Sequence, residues 1–101
     1  MRFLIKIVVP NQPFNTYVKE GSIDNKIQAI LGETKPEAAY FTEMDGKRTT
    51  VLIVNIADAS QIPAIGEPWF LTFNSEIEFH PVMLGEDLGK ANIKEIGKKW
   101  A

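Results

Sequence analysis

The sequence predicts an α+β domain of element order β-α-β-β-α-β, a four-stranded antiparallel sheet with two helices on one face. Three observations carry this. Four runs rich in β-branched and aromatic residues alternate with two stretches of helical spacing. The dipeptide Asp45-Gly46 joins the second and third runs, which is the signal of a tight type I′ hairpin. Right-handed crossovers then give the spatial order 4-1-3-2, with the fourth strand at an edge. That fourth run contains Pro81, which cannot donate to a ladder and belongs on an edge.

The first strand is Phe3 to Val9, ended by Pro10. Its odd positions, Phe3, Ile5, Ile7 and Val9, are apolar, while Leu4, Lys6 and Val8 form a mixed second face. The first helical region spans Asn15 to Glu33, with Ile23, Ile27, Ile30 and Leu31 on one stripe. Asn15 and Ser22 both read as N-caps, Gly21 argues against a single long helix, and Pro36 stops the region. The hairpin covers Glu37 to Ile56. A two-residue turn fixes its register, setting Tyr40 opposite Val51, Thr42 opposite Thr49 and Glu43 opposite Arg48 as a cross-strand charge pair. The second helical region is Asp58 to Phe73, capped by Asp58 or Ser60, with Ile62, Ile65, Trp69 and Phe73 at helical spacing. Gly66 and Pro68 predict a kink or an early end. Ser75 to Met83 is the last strand. From about residue 86 to Ala101 one or two short helices follow, with Ile93, Ile96 and Trp100 as a stripe. The whole, 1–101, reads as one domain with a C-terminal helical extension.

Composition narrows the chemistry. The 101 residues include no cysteine and one histidine, with a formal net charge of -2. Disulfides, thiolate nucleophiles, iron–sulfur clusters and cysteine–zinc sites are excluded. A slightly acidic chain argues against nucleic acid and anionic membranes as partners. No apolar run approaches the ~20 residues of a membrane helix. The start Met1-Arg2-Phe3-Leu4-Ile5-Lys6 is interrupted by Lys6 and leads to no small-x-small cleavage site, so a cytoplasmic location is the expectation. No phosphate loop, dinucleotide glycine motif, nucleophile elbow or metal spacing occurs, and no cofactor is expected.

With both helices on one side, the second sheet face carries Leu4, Lys6, Val8, Val51, Ile53 and Val82 together with Tyr40, Thr42, Glu78 and His80. A domain of this size rarely leaves such a patch in water. The expected cover is a second copy, sheet to sheet, in a two-fold homodimer. The element order, the domain size, this mixed face and the segment Ile77-Glu78-Phe79-His80-Pro81-Val82 resemble the dimeric α+β barrel superfamily. That group has a ferredoxin-like fold and includes muconolactone isomerase-like proteins, antibiotic-biosynthesis-type monooxygenases and stress-responsive uncharacterised members. The likeness is one of pattern, over residues 1–85. It implies a homodimer with a cavity between sheet and helices, and no particular chemistry.

Four residues are candidates for ligand binding: Lys6, Tyr40, Thr42 and His80. His80, beside Glu78, reads either as a general acid or base or as a surface histidine on an edge strand. Tyr40 and Thr42 share its face; a tyrosine hydroxyl there orients a ligand carbonyl, or the ring is a half-buried strand residue. Lys6 reads as an anion clamp or base, or as the partner of Glu78 in an ordinary ion pair. Trp69, Phe70, Phe73 and Trp100 read as core before they read as an aromatic pocket. Two functions stay open. One is a non-catalytic or accessory homodimer that binds a small apolar or aromatic metabolite in a sheet-face cavity. The other is a cofactor-free isomerase or a monooxygenase-type enzyme on such a metabolite. An enclosed cavity onto which Lys6, Tyr40 or His80 converges would favour the enzyme.

Overall fold

The computed structural model describes every residue from Met1 to Ala101. Strand β1 (Arg2–Val9) is followed by helices α1 (Asn11–Glu20) and α2 (Ile23–Thr34), then strands β2 (Ala38–Met44) and β3 (Lys47–Asn55). A single 3-10 turn leads into α3 (Ile62–Phe73). Strand β4 (Glu76–Pro81) and two short helices, α4 (Gly85–Lys90) and α5 (Ile93–Lys99), complete the chain. The four strands form one antiparallel sheet in the order β2-β3-β1-β4. Pro81 therefore sits on an edge, paired with Phe3 on its one inner side.

The pleat sorts side chains between two faces. Ile5, Ile7, Val9, Leu52 and Val54 point to the helix layer and are buried, meeting Ile30 of α2 and Ile65, Trp69 and Phe73 of α3. Phe14 and Tyr17 of α1 pack against the same cluster. Each fully buried large side chain of this kind stabilises by about 1.5–3 kcal/mol. The hairpin turn is tight: Asp45 and Gly46 both have positive φ, 55° and 75°, as a type I′ turn requires. The register is Tyr40 to Val51, Thr42 to Thr49 and Glu43 to Arg48.

Three expectations change or narrow. The first helical region is two helices, and it begins before Asn15. Gly21, at φ 79°, ends α1 in the left-handed conformation with its N–H on the carbonyls of Tyr17 and Val18. Asn15 is thus inside α1 rather than its cap, and Ser22 precedes α2 without a side-chain capping bond. Asp58 does cap its segment: its carboxylate accepts from the Ser60 amide, while the Gln61 side chain accepts from the backbone of Asp58. Third, α3 continues through Pro68 to Phe73. An interior proline costs about 3 kcal/mol, but burial of Ile65, Trp69 and Phe73 on either side of it offsets this cost.

Candidate functional site

The open sheet face collects the four residues singled out from the sequence. Register places Tyr40, Val51, Lys6 and Glu78 in one row across the four strands, with Thr42 and His80 in the rows on either side. Glu78 is the centre of a charged cluster. One of its carboxylate oxygens lies 3.8 Å from Lys6 Nζ and the other 3.1 Å from His80 Nε2. All three side chains remain partly open to solvent. Tyr40 stands on the edge strand at the far end of the row and is 62% exposed. The Thr42 hydroxyl donates to the Glu43 carbonyl, a local bond within its own strand. The structure thus joins Lys6 to His80 through Glu78 but leaves Tyr40 and Thr42 two strands away from Lys6. Five hollows of the single chain are lined by other residues, and none of the five by Lys6, Tyr40 or His80.

The helix side holds a different constellation. Arg48 does not pair with Glu43, although the two are opposite each other. The Glu43 carboxylate turns back to accept from the Gly46 amide at 2.9 Å, closing the hairpin tip. Parity aims Arg48 at the helix layer, where Nη1 donates to Asn15 Oδ1 at 2.7 Å and the guanidinium lies 4.4 Å from the centre of the Phe14 ring. No carboxylate lies within ion-pair distance of it. A half-buried cation held by an amide and a ring, and by no acid, keeps its charge available.

Arg48 borders a hollow of about 150 Å³ between α1, α2, α3 and the β2–β3 hairpin, walled by Phe14, Ile27, Phe41, Thr50 and Trp69 among others. Of the four sheet-face candidates, Thr42 alone contributes to this wall. Phe14, Ile27 and Phe41 also line an outer groove of about 390 Å³ with Val18 and Ile23. Trp69 is buried, and its indole Nε1–H, a donor only, has no acceptor. An unmet buried donor is uncommon and costs about 1–3 kcal/mol. A cavity of about 150 Å³ takes a benzene ring. The arrangement suits a ligand with a flat apolar body and an anionic group at Arg48.

The sequence reading missed this site because Arg48 looked satisfied by Glu43. The available signal was parity: Arg48 shares a face with Thr50, Leu52 and Val54, the core face. Of the four aromatic residues weighed together, Trp69 and Phe73 are core, Phe70 borders a hollow between α3 and β4, and Trp100 is exposed near the chain end.

No group of three His, Asp or Glu side chains is placed to hold a metal ion, and no helix is long and apolar enough to cross a membrane. No protein-family model matches the chain, and no curated protein matches it. Among solved structures it is similar to the de novo designed protein Ferredog-Diesel, at 16% identity and a TM-score of 0.49. The match covers 80% of this chain and 85% of that one.

Proposed function

We propose that this chain is a ferredoxin-like protein of the dimeric α+β barrel type, whose two copies turn their open sheet faces toward each other. In this reading it binds, without transforming it, a small apolar or aromatic metabolite that carries one carboxylate. The site is the helix-side hollow. The observation that carries the reading is Arg48, a half-buried guanidinium with no acidic partner at the wall of a hollow lined also by Phe14, Phe41, Trp69, Ile27 and three threonines. Arg is the side chain suited to fork onto a carboxylate. Phe14, Ile27 and Phe41 supply the apolar surface, with the Trp69 side chain beside them at the wall. A second reading, the enzyme of isomerase or oxygenase type, is favoured by the Lys6–Glu78–His80 cluster alone. There a carboxylate bridges a cation and an imidazole on a face that the proposed partner would enclose.

Benzoate and benzyl alcohol separate charge recognition from simple burial. Calorimetric titration of the full chain is expected to show benzoate binding more tightly than benzyl alcohol. Arg48→Met should weaken benzoate by roughly 10- to 100-fold, the worth of one charge-assisted hydrogen-bonded contact, with little effect on the alcohol. Equal affinity for the two probes, or benzoate binding unchanged in the Arg48 variant, would overturn the site. Loss of benzoate binding in Lys6→Met with Arg48→Met unaffected would move the ligand to the sheet face.

A further inference from the structure

The hollow at Arg48 is no bigger than the ring it would hold, about 150 Å³. Three of its walls, Phe14, Ile27 and Phe41, continue into the outer groove of about 390 Å³ between α1, α2 and β2. That groove has two apolar banks. Phe14 and Val18 of α1 are one helical turn apart and share a face, and Ile23 and Ile27 of α2 repeat the spacing. Each bank is thus about 6 Å long. Beyond Phe41 no strand closes the groove, because β2 is an outer strand of the sheet. Val18 is accordingly 47% and Phe41 55% exposed. The banks are fixed before anything binds. The Tyr17 hydroxyl donates to the Thr72 carbonyl at 3.2 Å, tying α1 to α3, and Lys26 Nζ of α2 stands 4.4 Å from the centre of the Tyr17 ring, tying α2 to α1. A preformed groove demands little ordering of the protein when it is filled.

We infer that this groove is the second half of the binding site and takes an uncharged alkyl chain. The ligand is then an aryl monocarboxylic acid with a short alkyl substituent. Its carboxylate lies at Arg48, its ring in the hollow and its chain between the two banks. This rests on Arg48 as the clamp for the carboxylate. Size is the first argument. A ring alone fills the hollow and leaves Val18, Ile23 and the exposed part of Phe41 in water, whereas a chain of about four carbons matches one helical turn and covers them. Charge is the second. The polar residues of the groove wall are Asp24 and Gln28, with no lysine or arginine among them. A second carboxylate on the chain would lie near Asp24 and against apolar side chains with no cation to meet it, so a diacid is rejected. Arg48 and Asp24 carry opposite charges, which fixes the end of the ligand that bears the acid.

The test is calorimetric titration of the full chain with benzoate, 4-butylbenzoate and 4-(3-carboxypropyl)benzoate. A fully buried methylene tightens binding about fourfold, so four carbons in a groove open on one side should give 4-butylbenzoate roughly a 10-fold advantage over benzoate. The diacid, of equal length, should bind no better than benzoate. Val18→Ser should bring the ratio of the butylbenzoate and benzoate affinities down to about 3-fold or less, since one bank loses its outer apolar side chain. Asp24→Lys, at an exposed position on α2, should reverse the charge preference and let the diacid bind at least as tightly as 4-butylbenzoate; this gain does not depend on Val18→Ser folding. Benzoate binding with no advantage for the butyl compound overturns the groove and leaves the Arg48 site standing. An advantage unchanged in Val18→Ser, or a diacid that matches 4-butylbenzoate on the native chain, also overturns it. If neither monoacid binds, or if Arg48→Met leaves both affinities untouched, the clamp itself falls and the groove with it.

Discussion

Asp58 shows how one exposed side chain ties the pH response to a local geometry. Its carboxylate accepts the Ser60 amide at 2.8 Å, and this bond holds its pKa below the ordinary 3.8. A depressed folded-state value means that the unfolded chain takes up the proton first as pH falls. The contribution is therefore complete above the ordinary value and is lost as pH drops through the folded one. Asp58→Asn keeps a side-chain acceptor but has no charge to titrate. Urea midpoints followed downward from pH 5 should fall less steeply for this variant than for the parent; parallel curves would show that the cap does not contribute. Arg2 is the opposite case, its guanidinium pKa raised by the hydrogen bond and charge of Glu37, at 2.8 Å. That ion pair ties the start of β1 to the residue before β2.

At the level of elements, the hairpin is the most legible part of the chain. Asp45-Gly46 names both the turn and the register, since a two-residue loop leaves no freedom in pairing. Gly46, at φ 75°, is the residue on which this depends. Gly46→Ala should cost roughly 1–2 kcal/mol, because a Cβ in the left-handed region meets the adjacent carbonyl. Chemical denaturation would measure it, and a loss below experimental error would mean that the turn relaxes to another type. The charges on this hairpin were less legible. Facing positions allow an ion pair, but Glu43 and Arg48 share the face toward α1, where Asn15 and the Phe14 ring compete for the guanidinium. Such a competitor, Asn15, comes from 33 residues away and leaves no mark in the local pattern. The same limit explains Pro68: the rule that proline breaks helices is local, whereas the anchors that hold α3 together are tertiary.

For the whole molecule, parity along four strands sorted core from open face, because alternation is a property of the pleat and not of context. Ile5, Ile7, Leu52 and Val54 against Leu4, Lys6, Val51 and Ile53 could be read from the sequence. The elongation of the molecule to 59 × 29 × 19 Å could not, since Ile93, Ile96 and Trp100 show the same spacing whether or not their stripe meets the body. Local stability should follow this division. In the single chain, amide hydrogen exchange is expected to be slowest in β1 and β3, around Ile5, Ile7 and Leu52, and fastest in α4 and α5. Equal protection of α4, α5 and the central strands would contradict the sparse packing of α4 and α5 on the rest of the chain.

The sheet order has a consequence for the order of synthesis. β1 is an inner strand, yet both its neighbours, β3 and β4, come later in the chain. As the polypeptide leaves the ribosome, Phe3-Leu4-Ile5-Lys6-Ile7-Val8-Val9 waits with both edges bare until residues 47–55 emerge, and its second edge waits for residues 76–81. A bare apolar segment of this length is a template for association with other nascent chains. Lys6 is its only charge between Arg2 and Lys19. Before it ever meets Glu78, that ammonium interrupts a stretch prone to assemble wrongly, the role of a gatekeeper residue.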